Sequence, residues 1–305
     1  MKQFLYLMPI ISGAMWGSAG IFVRKLTELG MNSYTVVSVR VVLAVLILAV
    51  WLGIYDKNLL KIKLKDLWIF VAGGVVGMFG LNLCYNFAIS ELSLSLAAVL
   101  LSLSPVFVLF MAAILFKEKI TSKKVICMTI AIAGCVLASG VLESASTMRW
   151  SVKGIIVGTI GAFFYGLYGI ISKTAMERGY HAFTTTFYCL LMVMLVVIPL
   201  TNWKLVTNVV VANPIKMSVF LVIHSLCTSV LPYILYTFSI RYIDAGMASI
   251  LASGEPVAAM IFGVIFFSEI PTVLSVVGIV LVIVALALLS MPDKKCGQSD
   301  KMSVK

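Results

Sequence analysis

The sequence predicts an all-α integral membrane protein, with ten transmembrane helices arranged as two inverted five-helix repeats. Three observations predict it. The chain of 305 residues is 62% hydrophobic and only 11% charged, with a mean hydropathy of +1.12. A soluble globular chain carries about 25% charged residues, so this one has too little polar surface to cover a water-soluble particle. The apolar residues gather into runs long enough to cross a bilayer, and the second half of the chain repeats the first. Together these exclude an ordinary cytosolic enzyme, a disordered chain and a secreted disulfide module.

The runs occupy residues 4–23, 34–54, 67–89, 95–116, 124–142, 153–172, 183–201, 217–240, 245–267 and 273–291. About 20 residues at ~1.5 Å rise cross a ~30 Å hydrocarbon core. The runs are continuously apolar rather than alternating, which favours helices over a β-barrel. The first follows Lys2 as a signal peptide would, but it is long, lacks an A-x-A cleavage site and has counterparts mid-chain. Two units of five spans are expected at 4–141 and 153–291, with a basic tail at 292–305. The longest connectors, 54–66, 142–152 and 202–216, are too short for a soluble domain.

The formal charge of +11 would suggest nucleic acid in a soluble protein. Here the basic residues are spread over short connectors rather than gathered on one face, so no nucleic-acid partner is expected. With the N-terminus in the cytoplasm, 16 Lys and Arg fall on inner segments and 6 on outer ones, and Arg40 lies within a span. That asymmetry predicts a multi-pass protein of the plasma (inner) membrane with both termini cytoplasmic. Five of the six cysteines lie in spans, Cys296 lies in the tail, and no C-x-x-C occurs; they read as small apolar side chains.

The repeat is visible at two offsets. Shifted by 149 residues, Gly17 meets Gly166, Gly20 meets Gly169, Glu28 meets Glu177, Gly30 meets Gly179 and Arg24 meets Lys173. Shifted by 151, Tyr85 meets Tyr236, Ser102 meets Ser253, Pro105 meets Pro256, Phe116 meets Phe267 and Glu118 meets Glu269. Eleven of the 34 positions from Tyr85 to Glu118 are identical to their mates. Leu, Ile and Val could coincide by composition; the Gly, Pro and Glu positions together could not. With five spans per half, the second half enters the membrane from the opposite side. Many secondary transporters are built on this plan, because two similar halves can exchange conformations around a central site.

The segment Gly13-Ala-Met-Trp-Gly-Ser-Ala-Gly20 resembles an EamA-type opening helix. So does the pair Ser104-Pro105-Val106…Glu118 and Glu255-Pro256-Val257…Glu269. Over nearly its whole length the chain is similar to ten-helix members of the drug/metabolite transporter superfamily. The resemblance implies a plasma-membrane permease, often an exporter of amino acids or related metabolites, with a central cavity. The halves are not identical, since Ser104 stands where Glu255 does and Trp16 where Tyr165 does. The site is therefore expected to be asymmetric.

Polarity within the spans marks the candidate site residues. An ionised carboxylate at Glu255 costs a few kcal/mol or more unless it faces the bundle interior. It reads either as a proton-coupling or cation-recognising group, or as a packing carboxylic acid. Arg40 either pairs with Glu255, binds a substrate carboxylate, or snorkels to the outer interface about 10 Å away. Asn82 and Asn86 share a helix face, and His224, Ser225, Thr228 and Ser229 form a second polar patch. Each lines a wet cavity or bonds between helices. Trp16, Tyr165 and Tyr168 stand in repeat-related opening helices among glycines; they line the cavity or pack. Pro105 and Pro256 remove backbone donors and predict paired bends. Ser104, Asn82, Asn86, Trp16, Tyr165, Tyr168 and His224 are thus the candidate substrate contacts, and Glu255 and Arg40 the coupling or charge-pairing groups. Glu118 and Glu269 read as structural groups at helix ends, with Thr121 and Thr272 at the turns into the next helices.

Only two histidines occur, so no metal site is expected, nor any cofactor. The sequence holds no G-x-x-x-x-G-K-[ST] loop, no H-E-x-x-H and no supported Ser/His/Asp set. The expected function is a secondary transporter of small metabolites, amino acids being the leading candidates, rather than an enzyme. A lipid-handling membrane enzyme and a non-transporting receptor are the alternatives.

Overall fold

The computed structural model describes residues 2–92, 94–142, 151–268 and 270–291, and the side chains of all of these but 2–4, 94 and 95. The tail 292–305, Glu269 and most of the 142–152 connector lie outside the described residues. Everything described is helix, turn or short connector. Among the described residues, nine helices are long and apolar enough to cross a membrane: α1 (Leu5–Glu28), α2 (Ser33–Tyr55), α3 (Leu64–Glu91), α4 (Leu96–Phe116), α6 (Val152–Glu177), α7 (Ala182–Leu200), α9 (Pro214–Ser239), α10 (Ala245–Phe267) and α11 (Val273–Ser290). The run predicted at 124–142 forms α5 (Ser122–Ala138), which is shorter at 17 residues. The 202–216 connector carries a short apolar helix, α8 (Trp203–Ala212). It begins after Asn202, whose side chain accepts from Leu205 N, and is cut off at Asn213 ahead of Pro214. Its Val206 covers Leu26, Met31 and Val36.

Capping by the preceding side chain sets five of the other starts. The side chains of Asn32, Thr121, Ser151, His181 and Thr272 each accept from a backbone amide two or three residues on, satisfying donors that a helix start leaves free. The ends are marked by left-handed residues. Gly30 and Gly179, mates at the 149 offset, have φ of 86° and 88°. Lys117 and Ser268, mates at the 151 offset, have φ of 55° and 53°. A left-handed conformation disfavours a Cβ, yet it occurs at the same place in both halves.

The interior irregularities are matched too. The α4 span is broken at Ser102–Leu103 into Leu94–Leu101 and Ser104–Phe116, and α10 at Ser253–Gly254 into Ala245–Ala252 and Glu255–Phe267. Pro105 and Pro256 occupy the first turn of the second piece in each case. There the missing amide costs nothing, so the prolines begin helices rather than bend them. A π-helical stretch interrupts α3 at Ala72–Phe79 and α9 at Leu226–Val230.

The helix pairings map onto one another when the halves are exchanged. Helix α3 packs on α6 as α9 packs on α1, and α4 packs on α6 as α10 packs on α1. The pairs α2–α7, α4–α10 and α5–α11 cross between halves. Small residues set the closest approaches: a Cβ on Gly278 of α11 would lie 2.5 Å from the carbonyl oxygen of Gly134 on α5. The main core joins Trp16, Val45, Leu48, Tyr168, Leu190 and Tyr236. Large apolar side chains such as Val50, Phe110, Ile114, Ile265 and Ile283 point outward, the arrangement a hydrocarbon surrounding favours.

Candidate functional site: a cavity between the two halves

A cavity of about 720 Å³ lies between the halves. Matched positions supply its walls: Tyr85 and Tyr236, Ser102 and Ser253, Ser104 and Glu255, Trp16 and Tyr165. Its size falls in the range typical of small-molecule sites. Exposed Arg24, Ile270 and Thr272 mark its open end.

Helix α1 is held against the Glu255 turn by close backbone packing. A Cβ on Gly17 would sit 2.5 Å from the Glu255 carbonyl oxygen and 2.8 Å from Ala258 Cβ. Trp16, one residue earlier, therefore stands at the cavity wall beside the start of the Glu255 helix. Its ring centroid is 6.0 Å from that of Tyr165, 5.1 Å from Tyr233 and 5.6 Å from Tyr236. Glu255 occupies the first turn of its helix, where the helix dipole favours negative charge. Arg40, Tyr85 and Tyr165 lie within its electrostatic reach.

Of the predicted site residues, Trp16, Ser104, Tyr165, Glu255 and Pro256 line this cavity. Arg40 and Asn82 line a separate void of about 10 Å³ with Ser229 and Tyr233. Arg40 Nε is buried without a hydrogen-bond partner, and Ser225 Oγ donates to the Arg40 carbonyl oxygen at 2.7 Å. Among the described residues Arg40 and Glu255 form no ion pair. Asn82 Nδ2 donates back to Met78 O at 2.7 Å, which uses one of its two N–H groups within its own helix. Asn86, Tyr168, His224 and Pro105 lie on the wall of neither space. The Tyr168 hydroxyl is 3.0 Å from Thr237 Oγ1 inside the core. His224 is buried, with its ring stacked on Phe22 at 4.9 Å and 17°. In the polar patch on α9, Ser225 bonds to α2 and Thr228 Oγ1 donates to His224 O at 2.7 Å, whereas both ring nitrogens of His224 and Ser229 Oγ are buried without a hydrogen-bond partner.

Sequence reasoning did not single out Tyr85 and Tyr236 as cavity residues. The signal was present, because the two tyrosines are matched at the 151 offset.

The end opposite Arg24 is closed by charge. Lys173 donates to the Glu118 carboxylate, which also accepts from the amides of Ala245 at 2.9 Å and Gly246 at 3.3 Å. Glu118 thereby caps α10. Lys124 Nζ, itself buried, pairs with Asp244 at 2.5 Å. Each of these contacts joins one half to the other. Lys173 also sits 5.0 Å over the Phe116 ring, and its mate Arg24 sits 4.4 Å over Phe267, the mate of Phe116.

The fold has been seen before. A solved crystal structure superposes with a TM-score of 0.74 over 93% of this chain and 95% of its own, at 14% identity. The uncharacterized transporter YxxF of Bacillus subtilis (strain 168) is 26% identical, covering 94% of this chain and 89% of that protein. An uncharacterized transporter of Archaeoglobus fulgidus is also 26% identical, covering 94% and 98%. The pseudopaline exporter CntI of Pseudomonas aeruginosa is 28% identical, covering 72% of this chain and 74% of its own. The profile of the EamA-like transporter family matches residues 3–140 and 152–291. With its apolar helices and these two matches, the chain is a multi-pass membrane protein that belongs to the EamA-like transporter family.

Proposed function

We propose that this protein is a secondary transporter that moves small amphipathic metabolites, amino acids among them, by alternating access. One observation carries the reading: a cavity of ligand size between matched halves, open at the Arg24 end and closed at the Glu118 end. The exchange symmetry of the helix pairings supports it, because swapping the conformations of the halves would close one end and open the other. With 16 of 23 Lys and Arg on the segments taken as inner, the Glu118 end faces the cytoplasm and both termini lie inside. The cavity of this structure then opens outward. Export is the favoured direction, since one relative is named as an exporter. Ion coupling rests on Glu255, the carboxylate in the cavity wall.

The test uses purified full-length protein in proteoliposomes and a panel of labelled amino acids and metabolites. Saturable flux of at least one compound is expected with no other protein present. Glu255→Gln is expected to abolish accumulation driven by a pH gradient while leaving exchange measurable. Absence of flux for every compound, together with turnover of a lipid, would sink the proposal in favour of a membrane enzyme.

A further inference from the structure

We infer that the cavity selects ligands carrying a positive charge, held by the Glu255 carboxylate within a box of aromatic rings. The inference deepens the transport reading and rests on it for the claim that the cavity is a substrate site. Three observations carry it. First, the ionisable side chains in the described wall are unevenly placed. Exposed Arg24 stands at the open end over the Phe267 ring, whereas Glu255 lies deep, beside the close contact of Gly17 with its backbone. Second, the Glu255 carboxylate has neither a hydrogen bond nor an ion pair among the described residues. Arg40, the cation in its reach, borders a different void. An unpaired carboxylate inside a membrane protein is costly, and a ligand cation would remove the cost.

Third, the wall around it is aromatic. Trp16, Tyr85, Tyr165 and Tyr236 all face this space. Trp16 meets Tyr165 edge-on at 75°, and Tyr236 is inclined to it by 56°. Rings set at steep angles to one another make the walls of a box, not a flat stack. The face of such rings attracts ammonium groups, tertiary and quaternary ones included, and the attraction grows when water is excluded. A carboxylate and three or four rings match a cation with an apolar body: an amine, a quaternary ammonium compound, or an amino acid whose own carboxylate is masked as an ester or amide. A simple carboxylic acid would meet the Glu255 charge with nothing in the deep wall to pair it.

The experiment measures binding of benzyltrimethylammonium to the full-length protein in nanodiscs by calorimetry, with 3-phenylpropanoate as the anionic counterpart of similar size. Saturable binding of the cation alone is expected. Glu255→Gln should weaken it roughly tenfold or more, the loss of a charge partner in a desolvated site. Trp16→Leu should weaken it about fivefold, while Trp16→Phe, which keeps a ring, stays within about threefold. The Trp16 pair keeps the test decisive if Glu255→Gln does not fold. Equal binding of 3-phenylpropanoate, no saturable cation binding, or cation binding indifferent to both Glu255→Gln and Trp16→Leu would overturn the inference. It fails separately from the transport reading. Flux of an acid or neutral solute without cation binding keeps transport and rejects the box. Cation binding with no flux of any solute keeps the box and rejects transport.

Discussion

Lys173 and Glu118 form an ion pair that crosses from one half of the chain to the other, and both side chains are largely removed from solvent. The same carboxylate caps α10 through the amides of Ala245 and Gly246. One acidic side chain thus ties the ends of α4, α6 and α10 together at the closed end of the cavity. Glu118→Gln should lower stability by roughly 3 kcal/mol, because removing one partner leaves a buried charge uncompensated. A double-mutant cycle with Lys173→Met, read by thermal unfolding in detergent, should return a coupling of at least about 0.5 kcal/mol. Additive effects would show that the pair does not hold this end shut.

The α1–α10 contact is built on a missing side chain. Gly17→Val would push a branched carbon into the Glu255 carbonyl and Ala258. Overpacking of this kind costs about 1–3 kcal/mol, and here it would displace Trp16 from the wall as well. Gly20, whose Cβ would meet nothing within 4 Å, is the control: Gly20→Ala should leave the melting temperature unchanged or raise it. Equal losses at the two positions would contradict the packing described.

Tyr165 and Tyr168 are one helical turn apart with opposite surroundings. Tyr168 is buried against Thr237, whereas Tyr165 borders the cavity. Tyr168→Phe should cost about 1 kcal/mol of stability, the net worth of a hydrogen bond, with ligand affinity little changed. Tyr165→Phe should keep stability. Tyr165→Ala, which removes the ring, should weaken ligand binding several-fold. Parallel thermal and binding measurements on the three variants separate packing from recognition.

His181 begins α7, its Nδ1 accepting from Phe183 N at 3.4 Å. Burial, and then the charge of Arg241, hold its pKa below the usual imidazole value. A group with a depressed folded pKa contributes stability that is present above its unfolded pKa of about 6.5 and is lost as pH falls through the folded value. Protonation also converts the capping acceptor into a donor. Stability should therefore decline below about pH 6, and His181→Asn, which keeps a capping acceptor without a proton to gain, should flatten that decline. Thermal unfolding between pH 5 and pH 7.5 reads it.

The apolar spans were legible because each rests on many residues. The nine helices of membrane-spanning length among the described residues, the helix starts at Pro105 and Pro256 and the caps at Thr121 and Thr272 arise from runs, prolines and hydroxyls that act locally. Helix α8 was not legible: ten apolar-rich residues between two asparagines fit a connector as well as a helix, and tertiary packing on Leu26 and Val36 decides the matter. The candidate site was half legible. Trp16, Ser104, Tyr165 and Glu255 come together, but polarity within a span does not say which face a side chain takes. Asn82 Nδ2 turns back to Met78, and the His224 ring turns to Phe22. Tyr85 and Tyr236 were overlooked because a lone tyrosine in a span looks like packing until its mate is considered.

The paired left-handed residues bear on ancestry. Gly30 with Gly179, and Lys117 with Ser268, hold nearly the same φ although most side chains around them have diverged. In a chain descended from a duplicated half, backbone punctuation is slower to change than the lettering between. A saturation scan should then show two tolerance profiles that rise and fall together at those offsets. The positions that break the symmetry, Ser104 against Glu255 and Trp16 against Tyr165, are where the two profiles should part.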